Sequence, residues 1–236
     1  MSQRTRIVDL TQLSRSPDTR PLTPVGRSVI RIEMPMSDIL SLFNSPDRLI
    51  ESVEEFNSAC EHIVLLLEEA EGIFQSGGYS TATFLAITAI EESAKAHLGA
   101  FTGGGPNPEK RKNNIFYDHG KKHQLAAMPT ISMGQRLQAA IGEEALVRIL
   151  AMSRTKELLR IRESSLYFER RNGALHCPRI VIDKNLSRSI LLYAIEVFDD
   201  ALVGFTDYSM KISGRTDEIF SRVASAETCS SSDAAR

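Results

Sequence analysis

The sequence predicts an all-α fold, a bundle of four to five helices, on three observations. Phe56, Cys60, Ile63, Leu67, Ala70 and Phe74 recur at 4-3-4-3-4 spacing, the seam of a helix packed in a bundle. The run from Tyr79 to Leu98, YSTATFLAITAIEESAKAHL, is apolar on nearly every side when wound at helical period, so it reads as the buried centre. Leu191, Ile195, Phe198, Leu202 and Phe205 repeat the stripe at 4-3-4-3 near the other end of the chain.

Taken in order, residues 1–36 carry many Arg, Ser, Thr and Pro without a lasting period, which predicts a flexible or extended N-terminal arm. A helical domain is expected over 37–212 and a flexible C-terminal tail over 213–236. Ser37 and Asp38 suit the cap of a short helix through Phe43, interrupted and restarted at Ser45-Pro46-Asp47. The first long helix then runs to about Gln75, and Gly77-Gly78 ends it and lets the chain turn back into the central helix.

Thr102 to Pro108 is a loop by composition, and without a following GK[ST] or a preceding strand it is not a phosphate loop. Lys110-Arg111-Lys112 suits a solvated basic turn. Asn113 to Met128 reads as a shorter helix weakened by Gly120, with a break at Pro129. A helix from Met133 or Glu143 to Leu166 follows, with Ala145, Ile149, Met152 and Leu159 on one face and Lys156 in its fourth slot. Residues 168–184 read as a loop holding Gly173 and Pro178, with RIVI as a brief extended segment. The final helix is expected from Leu186 to about Met210, ended by Ser213-Gly214.

At 236 residues the chain is long enough for one domain with its own core. No apolar run approaches a membrane span, and the N-terminus lacks a signal-peptide core, so membrane and secreted classes are set aside. Three scattered cysteines, Cys60, Cys177 and Cys229, fit free thiols in a reducing cytoplasm better than a disulfide frame. A formal net charge of −2 argues against a general nucleic-acid coat. Its distribution is uneven, however. Glu51, Glu54, Glu55, Glu61, Glu68, Glu69 and Glu71 lie in a stretch with no Lys or Arg, whereas Arg154, Lys156, Arg160, Arg162, Arg170 and Arg171 crowd a short segment. Either these faces complement each other, within the bundle or across a dimer, or the second is a basic surface for RNA phosphate.

Chemistry concentrates in two places. On the central helix, Glu91 falls inside the apolar stripe formed by Ile87, Ile90, Ala94 and Leu98, and Glu92 falls on a second apolar flank. A carboxylate there must be paired or protonated, and Lys95 stands four residues after Glu91 in the favourable order. His119 shares a helix face with Lys122 and His123, and His119 and Lys122 are expected to reach Glu91 and Glu92, closing a buried polar cluster. That cluster is either structural or the floor of a site. The His119–His123 spacing suits two imidazoles on a metal, but no Glu lies between them and no third ligand is apparent, so neither a metal nor another cofactor is expected. The second place is the segment Arg162 to Pro178, with RESSLY followed by RNGALH.

These residues carry a resemblance. LEEAEGIFQSGGYSTATFLAITAIEESAKAHL resembles the opening helical hairpin of the AbiV family of phage abortive-infection proteins, part of the HEPN superfamily of helical domains. The matching positions are Gly78, Tyr79, Ala82, Glu91, Glu92 and Lys95; His119 with Lys122, and Arg162, Leu166, Tyr167, Gly173 and Pro178, are similar to later family patterns. Arg171 and His176, spelled R-N-x-x-x-H ahead of the last helix, resemble the motif of HEPN ribonucleases, although Gly173 and Pro178 place them in a loop. The resemblance implies a HEPN-like bundle and an effector of phage defence that acts on RNA or the translation machinery without a metal. It further implies a homodimer, with Arg171 and His176, or alternatively Arg162 and Tyr167, at its cleft, and a phage-encoded trigger protein as a possible partner. Arg suits the charge of a phosphoryl transition state, and His can move a 2′-hydroxyl proton near neutral pH; Tyr, with a reference pKa of about 10, is the poorer base. The alternative is a non-catalytic helical module that senses a phage protein or sequesters a host factor.

Overall fold

Ser52 starts the first helix because its hydroxyl accepts the amide of Glu55, the bond that an N-cap serine supplies. The computed structural model describes residues 48–101, 118–126 and 135–226, Leu125 by its backbone alone. In chain order these form α1 (Val53–Gln75), α2 (Tyr79–Phe101), α3 (His119–Ala126), α4 (Gln135–Ile141), α5 (Glu143–Arg154) and α6 (Glu157–Ser164). A two-stranded hairpin, β1 (Glu169–Arg171) and β2 (Ala174–His176), precedes α7 (Pro178–Val181), α8 (Lys184–Leu202) and α9 (Asp207–Ser225). The expected N-terminal arm, the short helix through Phe43, the glycine loop, the basic turn at Lys110-Arg111-Lys112 and the last ten residues lie outside the described residues.

The fold is the all-α bundle the stripes predict, its frame being the long helices α1, α2, α8 and α9. α2 is its axis. It packs against α1 and α8 on two flanks and against α3, α6 and α7 elsewhere, and Ala82, Ala86, Ile87, Ala89 and Ile90 are all fully buried. Its alanines let neighbouring backbones approach closely, which is how one helix can touch so many others. The α1 seam from Phe56 to Phe74 is buried at every expected position, as are Leu191, Ile195, Phe198 and Leu202 of α8.

Three boundaries differ from expectation. The last helix does not run on to Met210. It stops at Leu202, the chain turns through Val203 and Gly204 (φ 97°), and Thr206 caps a new helix in a reciprocal box with Ser209. Phe205, the last member of the apolar stripe, sits in this turn and packs on Phe101 and Phe56, so the stripe outlasts the helix. The expected tail from residue 213 is therefore helical as far as Ser225, and its sequence is amphipathic: Ile212, Thr216, Ile219, Phe220 and Val223 face the bundle. Second, the expected helix ending at Leu166 is three helices, broken at Gly142 (φ 84°) and at extended Thr155. Leu158, not Leu159, becomes the buried residue beyond the break, and Lys156 leaves the face it was assigned to. Third, the 168–184 loop holds a hairpin. Asn172 and Gly173 both take positive φ (49° and 81°), the two-residue turn whose twist matches antiparallel strands. RIVI is not extended, since Pro178 to Val181 form a single helical turn that Pro178 initiates.

The acidic face of α1 finds its partner on α9. Arg215 binds Glu68 through two nitrogens and both oxygens of Glu61 through a third, all at 2.8 Å, and Arg222 reaches Glu71 at 3.2 Å. The basic segment 154–171 does not supply these contacts.

Candidate functional site

Glu91 lies just past the middle of α2, on the side where α3 and α6 cross it, and is 2 % exposed. Removing a carboxylate from water at that depth is expensive without compensation. Here compensation comes from three cationic or cation-forming groups. His119 Nδ1 lies 2.6 Å from Oε2, His123 Nε2 lies 2.9 Å from Oε1, and Arg162 Nε stands 3.5 Å from Oε1. The histidines come from successive turns of α3, whose i, i+4 spacing turns both rings toward α2. Arg162 comes from α6, with its guanidinium 4.9 Å over the ring of Phe84.

Burial pushes the Glu91 carboxyl up. The hydrogen bond from His123 and the charges of His119, Arg162 and His123 outweigh it, so the group is held below its ordinary value. An ionised Glu91 only accepts, which assigns the protons: His119 carries hydrogen on Nδ1 and His123 on Nε2. The two rings then differ. The His119 side chain is 42 % exposed and meets Glu91 through Nδ1, whereas His123 is 0 % exposed and its Nδ1 has no hydrogen-bond partner among the described residues. Arg162 Nε is likewise buried without a hydrogen bond, being too far from Oε1 to make one. Lys122 is buried beside them. Burial, with Lys95 and Arg162, lowers its ammonium below the ordinary value against the pull of Glu91 and Glu92.

The structure thus brings together Glu91, His119, Lys122 and Arg162, and adds His123. One expectation is corrected. Lys95 bonds Glu92 at 2.9 Å, not Glu91, because Glu91 points under α3 while Glu92, 27 % exposed, faces the outer flank. Arg162 lies against Glu91, and Tyr167, beyond the end of α6, is 69 % exposed. Arg171 and His176 do share a hairpin face, since Glu169 pairs with His176 and Arg171 with Ala174 in the register. There Arg171 meets Glu169 at 2.5 Å, and no ion pair joins either residue to Glu91. Among the described residues no group of three His, Cys, Asp or Glu is arranged to hold a metal. His119 and His123 each spend a nitrogen on Glu91, and Arg162 and Lys122 add positive charge where a cation would sit.

His123 is the residue the sequence under-reads. Its spacing from His119 placed it on the same face, but only the tilt of α3 across α2 turns that face onto a carboxylate. Nothing in the sequence foretells that Arg162 meets Glu91, because the two are joined only through the packing of α6 on α2.

The family model HEPN_AbiV, described as AbiV, matches residues 52–199. The match spans α1 to α8 and includes every residue of the Glu91 cluster. No curated protein and no solved structure matches the chain. No helix among the described residues is long and apolar enough to cross a membrane.

Proposed function

Since the chain belongs to the AbiV family of HEPN domains, a family of phage abortive-infection proteins, we propose that it is a defence effector that cleaves RNA at the Glu91 cluster by metal-independent acid–base chemistry. The observation that carries this reading is the double hydrogen bond of buried Glu91 to His119 and His123, with Arg162 alongside and the His119 ring half open to solvent. A buried carboxylate that fixes the tautomer of a solvent-facing imidazole is the arrangement by which a histidine is held ready as a base. His119 Nε2 takes the 2′-hydroxyl proton, the 2′-oxygen bonds to phosphorus, and the bond to the 5′-oxygen breaks, that oxygen being protonated by water. Arg162 and Lys122 offer positive charge to the phosphoryl oxygens. The products are a 2′,3′-cyclic phosphate and a 5′-hydroxyl. Arg171, exposed, and His176, half-buried, serve in this reading as substrate contacts on the hairpin.

Incubation of total RNA with the full chain in EDTA tests this. Fragments ending in 2′,3′-cyclic phosphate from wild type and their loss in Glu91→Gln support it; equal cutting by both moves the chemistry away from this cluster.

A second reading has its own observation. Tyr167, Phe168, Leu175 and Ile180 are 69, 72, 51 and 78 % exposed around the hairpin, a group of large apolar side chains suited to a protein partner such as a second copy or a phage-encoded trigger. Under that reading Tyr167→Ser with Phe168→Ser abolishes phage protection, while Glu91→Gln leaves it intact.

A further inference from the structure

The basic segment 154–171 reaches a carboxylate on another long helix only through Arg162, at Glu91, because Glu61, Glu68 and Glu71 of α1 are taken by Arg215 and Arg222 of α9. Part of its charge lines a cavity of about 520 Å³ between α6, the hairpin and the start of α8. Three cations, Lys156, Arg160 and Arg171, stand on its wall against one carboxylate, Glu157. Neither Lys156 nor Arg160 has an ion-pair partner among the described residues, and Arg171 holds only the neighbouring Glu169, an exposed pair that an arriving anion displaces readily. The Ser164 hydroxyl adds a neutral donor.

The rest of the lining is apolar: Val181, Ile182 and Leu186 come from α7 and the start of α8, Ile161 of α6 joins them, and Val181 is left 40 % exposed although it is a large aliphatic side chain. A cavity lined by both cations and aliphatic side chains fits a ligand that is anionic at one end and flat and apolar at the other. Its volume lies within the usual range of small-ligand sites, about 300–1,000 Å³. We propose that this cavity binds one nucleoside 5′-phosphate: the phosphate between Lys156, Arg160 and Arg171, the base against Ile161, Val181 and Leu186, and the ribose hydroxyls toward Glu157. Free nucleotide and a single residue of an RNA strand offer the same chemistry.

This site is separate from the Glu91 cluster, and α6 is the wall between them. Glu157, Arg160, Ile161 and Ser164, at i, i+3, i+4 and i+7, face the cavity. Leu158 and Arg162, each one position further on, are turned by about 100° toward α2 and Glu91. The proposal therefore stands whether or not Glu91 is catalytic.

Isothermal titration of the full chain at low salt, with AMP, inorganic phosphate and a uridylate pentamer as separate probes, tests it. The expected result is one AMP per chain, bound more tightly than phosphate. Lys156→Ala with Arg160→Ala weakens it by about tenfold or more, as loss of two charge-assisted contacts should. Val181→Asp, at an exposed position, weakens AMP but not phosphate, while His119→Ala leaves AMP binding unchanged and so separates this site from the cluster. Displacement of the pentamer by AMP identifies the natural source as RNA; AMP binding that the pentamer does not displace identifies a free nucleotide. Binding of none of the probes, or binding that the Lys156/Arg160 variant leaves unchanged while its melting profile is intact, overturns the proposal.

Discussion

Two polar clusters are buried in this bundle, and they are electrostatic opposites. Around Glu91 a single carboxylate faces two histidines, an arginine and a lysine. At the α4–α8–α9 junction a single arginine, Arg136, faces three carboxylates: Nε donates to Glu196 at 2.5 Å, Nη2 to Asp199 at 2.6 Å, and Nη1 to Asp217, with the guanidinium 4.1 Å over Phe220. The first cluster has positive charge to spare and a histidine open to solvent. The second has negative charge to spare and resolves it internally: burial above all, reinforced by Glu196, pushes Asp199 up to about 7, against the bonds from Thr216 and Arg136. A cluster that neutralises itself with a proton needs no ligand and serves to dock α4. A cluster that keeps surplus positive charge at its solvent edge is suited to an anionic substrate. Burial of ionisable groups is common to both, so the sign of the surplus, and where it is exposed, separates a fastener from a site.

The sharpest way to break that contrast is to remove the odd charge from the fastener. Arg136→Met leaves Glu196 and Asp199 without their counter-ion, and a cost of about 3–5 kcal/mol is expected in urea unfolding, with α4 released first in hydrogen exchange. Arg188→Met should follow. Arg188 is 5 % exposed and donates to Val223, Ala224 and Ala140, closing the C-terminal carbonyls of α9 and α4. Its loss leaves those carbonyls unsatisfied and should cost about 2–3 kcal/mol.

The two clusters also answer pH with opposite sign. Asp199 holds a proton in the folded chain up to about pH 7, while in the unfolded chain it titrates near about 3.9. Its contribution to stability therefore falls as pH rises through that window and is flat above it. Glu91, held below its ordinary value, contributes stability that is present above the unfolded pKa and lost as pH falls through the folded one. Asp199→Asn should flatten the decline in melting temperature between about pH 5.5 and 7, a range above the titration of unfolded glutamate near about 4.3, so Glu91→Gln should leave it unchanged; melts of both variants across the range check it. The smallest effect belongs to the surface. Arg215 is 35 % exposed, so Arg215→Ala, despite its paired glutamates, is expected to cost about 1 kcal/mol.

Much of this was legible beforehand, and the residues show why. The stripes of α1, α2 and α8 are one-dimensional patterns with a helical period, so the bundle and the burial of Glu91 could be read directly. A buried carboxylate must find a partner, which is enough to join Glu91 and His119 in one cluster. What escaped reading depends on breaks and crossings. Phe205 continues the α8 stripe although its backbone has already turned, which hid α9 and with it the partners of Glu61 and Glu68. Thr206 and Ser209 carry the signal of that new helix start, but with serine in place of the usual glutamate. Asn172-Gly173 was visible as a turn, yet the strands beside it, three residues each, are too short to show alternation. The sequence sets Arg162 near Tyr167, whereas the helix packing brings it to Glu91.

In our proposal the Glu91 cluster is a working site and the Arg136 cluster is a fastener. His119 tests it most directly, because its side chain is half open and its removal leaves Glu91 still bonded to His123. In EDTA, with RNA cleavage and thermal melting followed on the same His119→Ala preparation, cleavage should fall by about 10²–10⁴-fold, the usual worth of a general base, while the melting temperature stays near that of wild type. A variant that melts early yet cuts RNA at the wild-type rate would make the Glu91 cluster a second fastener and remove the distinction.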